Sequence, residues 1–142
     1  MNPTIVKFGY PGTLLRELDH WLILLRPAQV TLGSLVLAAK SDAVAYSQLS
    51  VEAFKEQADA VGLIERTLRD FCAYERINYL MLMMVDPNVH FHVIPRYSEP
   101  RRWNKLEFVD AGWPGVPQLS TAIELDVKQM ELLTDQLKAR FR

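Results

Sequence analysis

The sequence contains little of what disulfide-bonded, zinc-binding or membrane-spanning proteins need. Cys72 is the only cysteine among 142 residues, so no disulfide can form within the chain. Only three histidines accompany it as nitrogen and sulfur ligands for zinc. No stretch approaches the roughly 20 apolar residues of a spanning helix, and the N-terminus lacks the apolar core of a signal peptide. Together these features predict a cytoplasmic protein with no membrane partner.

The chain also lacks an excess of charge of either sign. Its 17 acidic and 16 basic residues leave a formal charge of −1, which gives no electrostatic reason to expect a nucleic-acid partner. There is no internal repeat, low-complexity tract or linker between compositional halves. At 49% hydrophobic residues, a chain of this length can bury one continuous core. We therefore expect a single domain over residues 1–142.

Three segments in the first third are typical of β-strands. They are rich in branched apolar residues and are punctuated by Pro27 and Gly33. Their ranges are 13–18 (TLLREL), 20–27 (HWLILLRP) and 31–40 (TLGSLVLAAK). This part of the chain therefore predicts sheet structure.

Two segments have the spacing of amphipathic helices. Ser50 is a suitable N-cap for a long helix that ends at about Tyr74, and a final helix begins at about Asp126. Apolar residues recur every three to four positions in both. In the long helix they are Phe54, Ala58, Val61, Ile64 or Glu65, Leu68 and Phe71, and in the final helix Val127, Met130, Leu133, Leu137 and Phe141.

Between the helices, residues 77–85 (INYLMLMMV) and 89–97 (VHFHVIPRY) predict two further strands. They are separated only by Asp86-Pro87-Asn88, too short a connection for a parallel crossover, so they should form an antiparallel hairpin. A short strand is expected at 106–109 (LEFV). The order predicts an α+β fold, in which an antiparallel sheet of about five strands packs with one long central helix and a C-terminal helix.

His90 and His92 lie one residue apart in the second strand of this hairpin. Side chains alternate between the faces of a strand, so both imidazoles point the same way, with Cα atoms roughly 6 to 7 Å apart. That spacing allows both rings to contact one phosphate group or one metal ion. His20 and Cys72 are the only other histidine and cysteine, so a zinc site would need carboxylates as well. We expect no metal and no cofactor, with zinc as the alternative.

The segment HFHVIPR and the order of elements before it resemble the histidine-triad (HIT) superfamily of nucleotidyl hydrolases and transferases. The family signature alternates three histidines with apolar residues and often ends in Pro-Arg. In this alignment His92 and His90 match the third and second histidines, and Asn88 replaces the first. Ser34 replaces the histidine that commonly follows the glycine matching Gly33. The resemblance covers residues 13–97 and leaves 98–142 as a C-terminal extension.

The resemblance implies a nucleotide hydrolase or nucleotidyl transferase. It would act on a nucleoside phosphoanhydride, phosphoramidate or dinucleoside polyphosphate through a covalent nucleotidyl intermediate on His90. His92 would stabilise the developing phosphate charge, and Asn88, Ser34 and Arg96 would contact the nucleotide phosphates. The alternatives are a protein of this fold that binds nucleotides without turnover, because two family histidines are replaced, and an interaction module.

The resemblance also implies a homodimer, since family members commonly extend one sheet across two subunits. The apolar run LMLMMV at 80–85, expected to be a strand beside a long helix, is a further reason to expect dimerisation.

Overall fold

The computed structural model describes residues 1–141 and contains a central antiparallel sheet of five strands. These are β1 (Leu14–Glu17), β2 (Trp21–Leu25), β4 (Leu35–Ala39), β5 (Arg76–Leu80) and β6 (His90–Arg96), following each other across the sheet in the order β1-β2-β4-β6-β5. Two antiparallel pairs of short strands flank the sheet: β3 (Ala28–Gln29) with β9 (Ile123–Glu124), and β7 (Arg101–Trp103) with β8 (Leu106–Phe108).

Within residues 1–141, three α-helices accompany the sheet: α1 (Pro3–Lys7), α2 (Val51–Cys72) and α3 (Val127–Arg140), with a short 3₁₀ helix at Tyr46–Gln48. The predicted α+β fold, with about five antiparallel strands, a long central helix and a C-terminal helix, is therefore confirmed. None of the helices within residues 1–141 combines the length and apolar character needed to cross a membrane.

Strands β2 and β4 are buried on both faces of the sheet, which explains their nearly continuous apolar sequences. Odd-numbered residues such as Ile23 and Leu37 pack in the larger core beneath α2 and α3. Even-numbered residues such as Leu24 and Val36 form a smaller cluster with Ile5 of α1. The two faces of the sheet are thus covered by different elements, and the histidines belong to the face of α1.

Helix α2 begins where the sequence predicts. The Ser50 hydroxyl accepts a hydrogen bond from the Ala53 N–H, which satisfies one of the free donors of the first turn. The predicted apolar stripe is partly wrong, because Phe54 and Ala58 are exposed. The buried residues are Ala53, Ala60, Ile64, Thr67, Leu68 and Cys72. In its N-terminal half, the helix therefore packs in the core through Ala53 and Ala60 instead of Phe54 and Ala58.

Helix α3 also begins as predicted. Asp126 and Gln129 form a capping box, in which each side chain accepts a hydrogen bond from the other residue's backbone N–H. Leu133 and Leu137 are buried in the larger core, as expected, whereas Val127 is 74% exposed. The helix packs beside β1, so the C-terminal part of the chain contributes to the main core.

The hairpin of β5 and β6 is antiparallel as predicted, but its connection is longer. Strand β5 ends at Leu80 rather than at residue 85, and residues 81–89 form the loop. Met83 has a φ of +50°, which a β-strand residue does not adopt, and Val85 is 83% exposed. Most of the run LMLMMV therefore lies in a loop, and the argument for a dimer from an apolar strand is wrong. The dimer itself stays a prediction.

Helix α1 is absent from the sequence-based prediction, although its signals are present. Asn2 caps it, with Oδ1 accepting from the Ile5 N–H, and Pro3 occupies the first helical position. The Asn2 Nδ2 group donates to the carbonyl of Ala39 at the end of β4. One side chain thus starts the helix and ties it to the sheet.

A buried ion pair links β6 to the segment after it. Arg96 donates through Nε and Nη2 to the two carboxylate oxygens of Asp110, at 2.6 and 3.0 Å, and both side chains are at least 96% buried. Asp110 also accepts a hydrogen bond from the Tyr97 N–H. Removing one partner of such a bidentate pair strongly destabilises the fold, because the other charge stays buried without a counterion.

We predict that Asp110→Ala lowers the free energy of unfolding by about 3–5 kcal/mol, because the Arg96 charge loses its counterion. Urea denaturation measures the change. The matched control is Glu107→Ala, which removes the carboxylate of the exposed Arg102–Glu107 pair. Glu107→Ala should lower the free energy of unfolding by about 1 kcal/mol or less. Equal losses in the two variants would contradict the role assigned to the buried pair.

Candidate active site

The predicted shared face of His90 and His92 is confirmed by the register of β6. His90 lies opposite Ala38 and His92 opposite Val36, both on the face covered by α1. The two ring centroids are 5.0 Å apart, with the rings inclined at 76°. Both histidines are buried, with exposures of 1% and 7%. The pair is therefore held within the fold rather than on a solvated surface.

Phe8, just after α1, packs against both histidines. Its ring centroid lies 5.5 Å from that of His90 and 5.7 Å from that of His92. Aromatic contacts at such distances favour defined ring orientations. The N-terminal segment therefore packs against both histidine rings.

The tautomer of His90 follows from its hydrogen-bond partner. Its Nδ1 atom lies 2.7 Å from the backbone carbonyl oxygen of Asn88. A carbonyl oxygen only accepts, so Nδ1 carries the proton and donates it. In the neutral ring Nε2 then has no proton and presents its lone pair. His90 is thus oriented as a nucleophile or as a base through Nε2.

His92 has the opposite tautomer. The Arg26 Nε–H group donates to its Nδ1 atom at 3.2 Å. Arginine has no acceptor, so Nδ1 of His92 is unprotonated and the neutral ring carries its proton on Nε2. Burial first, then the positive charge of Arg26 and the neighbouring His90, lower the pKa of His92 to about 4, against the opposing effect of Asp86. His92 is therefore a neutral hydrogen-bond donor near pH 7.

The two histidines line a cavity of about 190 Å³. Its other wall is the loop that follows β5, contributing Leu82, Met83, Met84, Val85 and Asp86. Asp86 forms an ion pair with Lys7 at 2.7 Å, which links this loop to α1. Residues that leave the predicted strand thus form one wall of the histidine cavity.

Arg96 lies in a different place from the histidines. It lines a larger groove of about 620 Å³ with Asn78 and residues 114–117. Its guanidinium group is bound to Asp110 and, through Nη1, to the Asn78 side chain. Arg96 is four residues beyond His92 along an extended strand, so their Cα atoms are roughly 13 Å apart. The larger groove therefore lacks the histidine chemistry, and we assign the candidate active site to the smaller cavity.

Asn88 and Ser34 both have their side chains bonded within the fold. Asn88 accepts a hydrogen bond from the Thr4 hydroxyl at 2.9 Å and donates to the Asp42 carbonyl at 3.1 Å. The Ser34 hydroxyl donates to the carbonyl of Thr31 at 2.8 Å and accepts from its N–H at 3.0 Å. These bonds fix α1 and the turn before β4. Phosphate contacts by Asn88, Ser34 and Arg96 stay predictions.

Within residues 1–141, no group of three or more histidine, cysteine, aspartate or glutamate side chains is arranged to hold a metal ion. Cys72 is buried at the end of α2, where its thiol donates to the Leu68 carbonyl. Burial raises the pKa of that thiol to about 11. The thiol is therefore protonated near pH 7 and is not a thiolate ligand.

Three contributors to the site were missed by sequence reasoning: Arg26, Phe8 and the loop at 82–86. Arg26 had a usable signal. It follows an apolar strand at an even position, two residues after Leu24, and alternation therefore places it on the histidine face. Phe8 had none, because its position depends on how α1 packs on the sheet.

Comparison with solved structures identifies the fold. A histidine triad protein from Sinorhizobium meliloti 1021 has a TM-score of 0.73 at 17% identity, covering 99% of this chain and 95% of that one. A histidine triad protein from Bradyrhizobium japonicum has a TM-score of 0.71 at 15% identity, covering 100% and 97%. The chain has the histidine-triad fold. No protein-family model matches the sequence, and no curated protein matches it significantly.

The histidine-triad fold is also found in a more distant enzyme. Diadenosine triphosphate hydrolase from Plasmodium falciparum has a TM-score of 0.66 at 12% identity, covering 91% of this chain and 76% of that one. The resemblance read from residues 13–97 thus extends, in structure, over nearly the whole chain. The C-terminal segment, which the sequence left unmatched, has counterparts in these histidine-triad structures.

We predict that His92 remains neutral down to about pH 4 in the folded protein, whereas an unfolded histidine titrates near 6.5. The unfolded state therefore binds a proton first as the pH falls, so the free energy of unfolding should decrease between pH 6.5 and about 4. Nitrogen NMR of the histidine rings measures the titration of His92, and urea denaturation at several pH values measures the free energy of unfolding. The NMR spectra should show the proton on Nδ1 in His90 and on Nε2 in His92. The same tautomer in both rings would contradict this assignment.

Proposed function

We propose that this protein is a hydrolase or nucleotidyl transferase that acts through a nucleotidyl intermediate on His90. Its substrate would be a nucleoside phosphoanhydride, phosphoramidate or dinucleoside polyphosphate. The observation that carries the proposal is the bond from His90 Nδ1 to the Asn88 carbonyl, which leaves the Nε2 lone pair directed away from the backbone. The cavity beside the two histidines provides room for a phosphate group at that atom.

In the first step, the Nε2 lone pair of His90 attacks the α-phosphorus in line with the bond to the leaving group. An N–P bond forms, and the bond to the leaving group breaks with its electron pair. The imidazole becomes positively charged. Its Nδ1–H group remains bonded to the Asn88 carbonyl, which stabilises the cation while the intermediate exists.

In the second step, water or another acceptor attacks the same phosphorus from the side that the leaving group vacated, and an attacking water releases its proton to solvent. The P–N bond breaks, and its electron pair returns to Nε2 of His90. His92 donates its Nε2–H to a non-bridging phosphate oxygen in both steps, because its other nitrogen is occupied by Arg26. The two displacements together regenerate the neutral pair of rings.

A protein that binds nucleotides without turnover is the second candidate, and Asn88 favours it. The family's first histidine is replaced here by an amide, which cannot transfer a proton. Its side chain is bonded to Thr4 and to the Asp42 carbonyl. The experiment on His90 separates this candidate from the first.

We predict that diadenosine triphosphate labelled at the α-phosphorus leaves label on the native protein, and that His90→Ala abolishes it. The reaction is quenched in alkaline denaturant, because P–N bonds are labile in acid. Turnover by His90→Ala should fall roughly 10³-fold or more, while nucleotide affinity stays nearly unchanged. His20→Ala is the matched control and should retain both. Label that persists in His90→Ala would remove His90 from this role, and binding without label in the native protein would support the second candidate.

We also propose a homodimer. Strand β5 forms one edge of the five-stranded sheet, so one side of its backbone is available for pairing with another strand. Four of its five residues are only partly buried in the single chain. Sedimentation velocity at micromolar concentration should give the mass of two chains, and a monomer under these conditions would contradict the proposal.

A further inference from the structure

Arg26 carries a positive charge without a counterion in the described part of the chain. Its Nε–H donates to His92 and its Nη1 donates to the Ala28 carbonyl at 2.7 Å. Among residues 1–141, the carboxylates that pair with basic side chains belong to other pairs, and none lies within 4.0 Å of Arg26. Burial lowers the pKa of the Arg26 guanidinium, so part of its hydration has been lost.

Part of this guanidinium is neither hydrogen-bonded nor fully buried. Arginine has five N–H groups, and the fold uses Nε and one on Nη1. Within residues 1–141, every fully buried side-chain nitrogen or oxygen has a hydrogen-bond partner. The Nη2 group of Arg26 has no such partner in this part of the chain and is therefore not fully buried. A partly desolvated, unpaired cation beside the histidines is suited to a phosphate, which guanidinium groups bind in bidentate fashion.

Among residues 1–141, no group at the histidine cavity is placed to give a proton to a leaving group. His92 and His90 lie on β6, Arg26 bonds to His92 from the position after β2, and Asp86 lines the cavity from the loop, where it is paired with Lys7 of α1. His92 is neutral, Arg26 does not release protons, and Asp86 is paired as a carboxylate with the Lys7 ammonium, which does not line the cavity. The amide of Asn88 does not release a proton. A leaving group must therefore depart in a form that needs none.

We propose that Arg26 directs this site to phosphoanhydrides, in preference to phosphoramidates, by binding the phosphate that leaves and by holding His92 as a neutral donor. This inference rests on the proposed function and narrows its substrate class. In an anhydride, the breaking P–O bond gives its electron pair to a phosphate oxygen, which departs as an anion beside the Arg26 guanidinium. In a phosphoramidate, the breaking P–N bond leaves an amine nitrogen that must first take a proton, and no group here supplies it.

The test compares diadenosine triphosphate with adenosine 5′-phosphoramidate. The variants are Arg26→Met, which removes the charge and the donor, and Arg26→Lys, which keeps the charge. Arg66→Gln is the control, because it removes an exposed arginine on α2, which covers the other face of the sheet. Arg26→Met should lower kcat/KM for the anhydride roughly 10- to 100-fold, because a hydrogen-bonded charge contact is lost. For the phosphoramidate, the factor by which Arg26→Met lowers kcat/KM should be at least about tenfold smaller than for the anhydride.

Arg26→Lys should recover part of the anhydride activity, and Arg66→Gln should match the native protein. The titration midpoint of His92, followed by NMR, should rise in Arg26→Met and not in Arg66→Gln. Equal losses of kcat/KM with the two substrates, together with an unchanged His92 midpoint, would overturn the proposal.

Binding measurements separate failure of this inference from failure of the proposed function. If the native protein cleaves neither substrate, the proposed function is wrong, and calorimetric titration then tests Arg26 without turnover. Arg26→Met should lose roughly 10- to 100-fold in affinity for adenosine diphosphate and less for adenosine 5′-phosphoramidate, which has one phosphorus. Equal affinities in Arg26→Met and native protein for both ligands would overturn the role of Arg26.

Discussion

The hydrogen bond from His90 Nδ1 to the Asn88 carbonyl is the contact on which the candidate site depends. It decides which nitrogen of His90 has a lone pair, and its direction is set by the backbone two residues earlier in the chain. That backbone is held in turn, because Asn88 bonds to Thr4 of α1 and to the Asp42 carbonyl. Asn2 caps α1 and bonds to the end of β4. A series of hydrogen bonds thus fixes the tautomer of the His90 ring.

Arg26 has a complementary effect on the neighbouring histidine. Arg26 donates a hydrogen bond to Nδ1 of His92, the ring atom that is itself the donor in His90. This bond reverses the tautomer of His92, and the positive charge of Arg26 disfavours protonation of the ring. Two rings of identical covalent structure, 5.0 Å apart, therefore have different chemistry. One presents a lone pair and the other a proton, because one Nδ1 atom meets a carbonyl and the other a guanidinium. This division of roles is what a displacement at phosphorus needs from two neutral imidazoles.

Local patterns in the sequence determined much of the fold. The caps at Ser50 and Asp126 are short-range hydrogen bonds, so both helix starts were predicted correctly. Alternation in β6 also placed the two histidines on one face, since side-chain direction depends only on residue parity. The end of β5 was not predictable in this way, because residues 81–85 are as apolar as the strand before them. In the structure these residues leave the sheet, and most of them line the cavity beside the histidines.

The chemistry of the site was less accessible from the sequence. The resemblance pointed to His90, His92, Asn88, Ser34 and Arg96, but the structure brings only the first two together at the cavity. Arg96 is bonded to Asp110, a residue 14 positions later whose partner no local pattern identifies. Arg26 is 66 positions from His92, and their contact arises only when β2 and β6 flank β4. Such long-range contacts determine which polar side chains remain available for a ligand.

The central claim is that Nε2 of His90 is the attacking atom. The most direct measurement is phosphorus and nitrogen NMR of the trapped nucleotidyl protein, prepared with nitrogen-15 in its histidines. Coupling between phosphorus and ring nitrogen identifies both the histidine and the atom that carries the nucleotide. The account predicts coupling to Nε2 of His90, with Nδ1 still protonated. Attachment at Nδ1, or at His92, would contradict it.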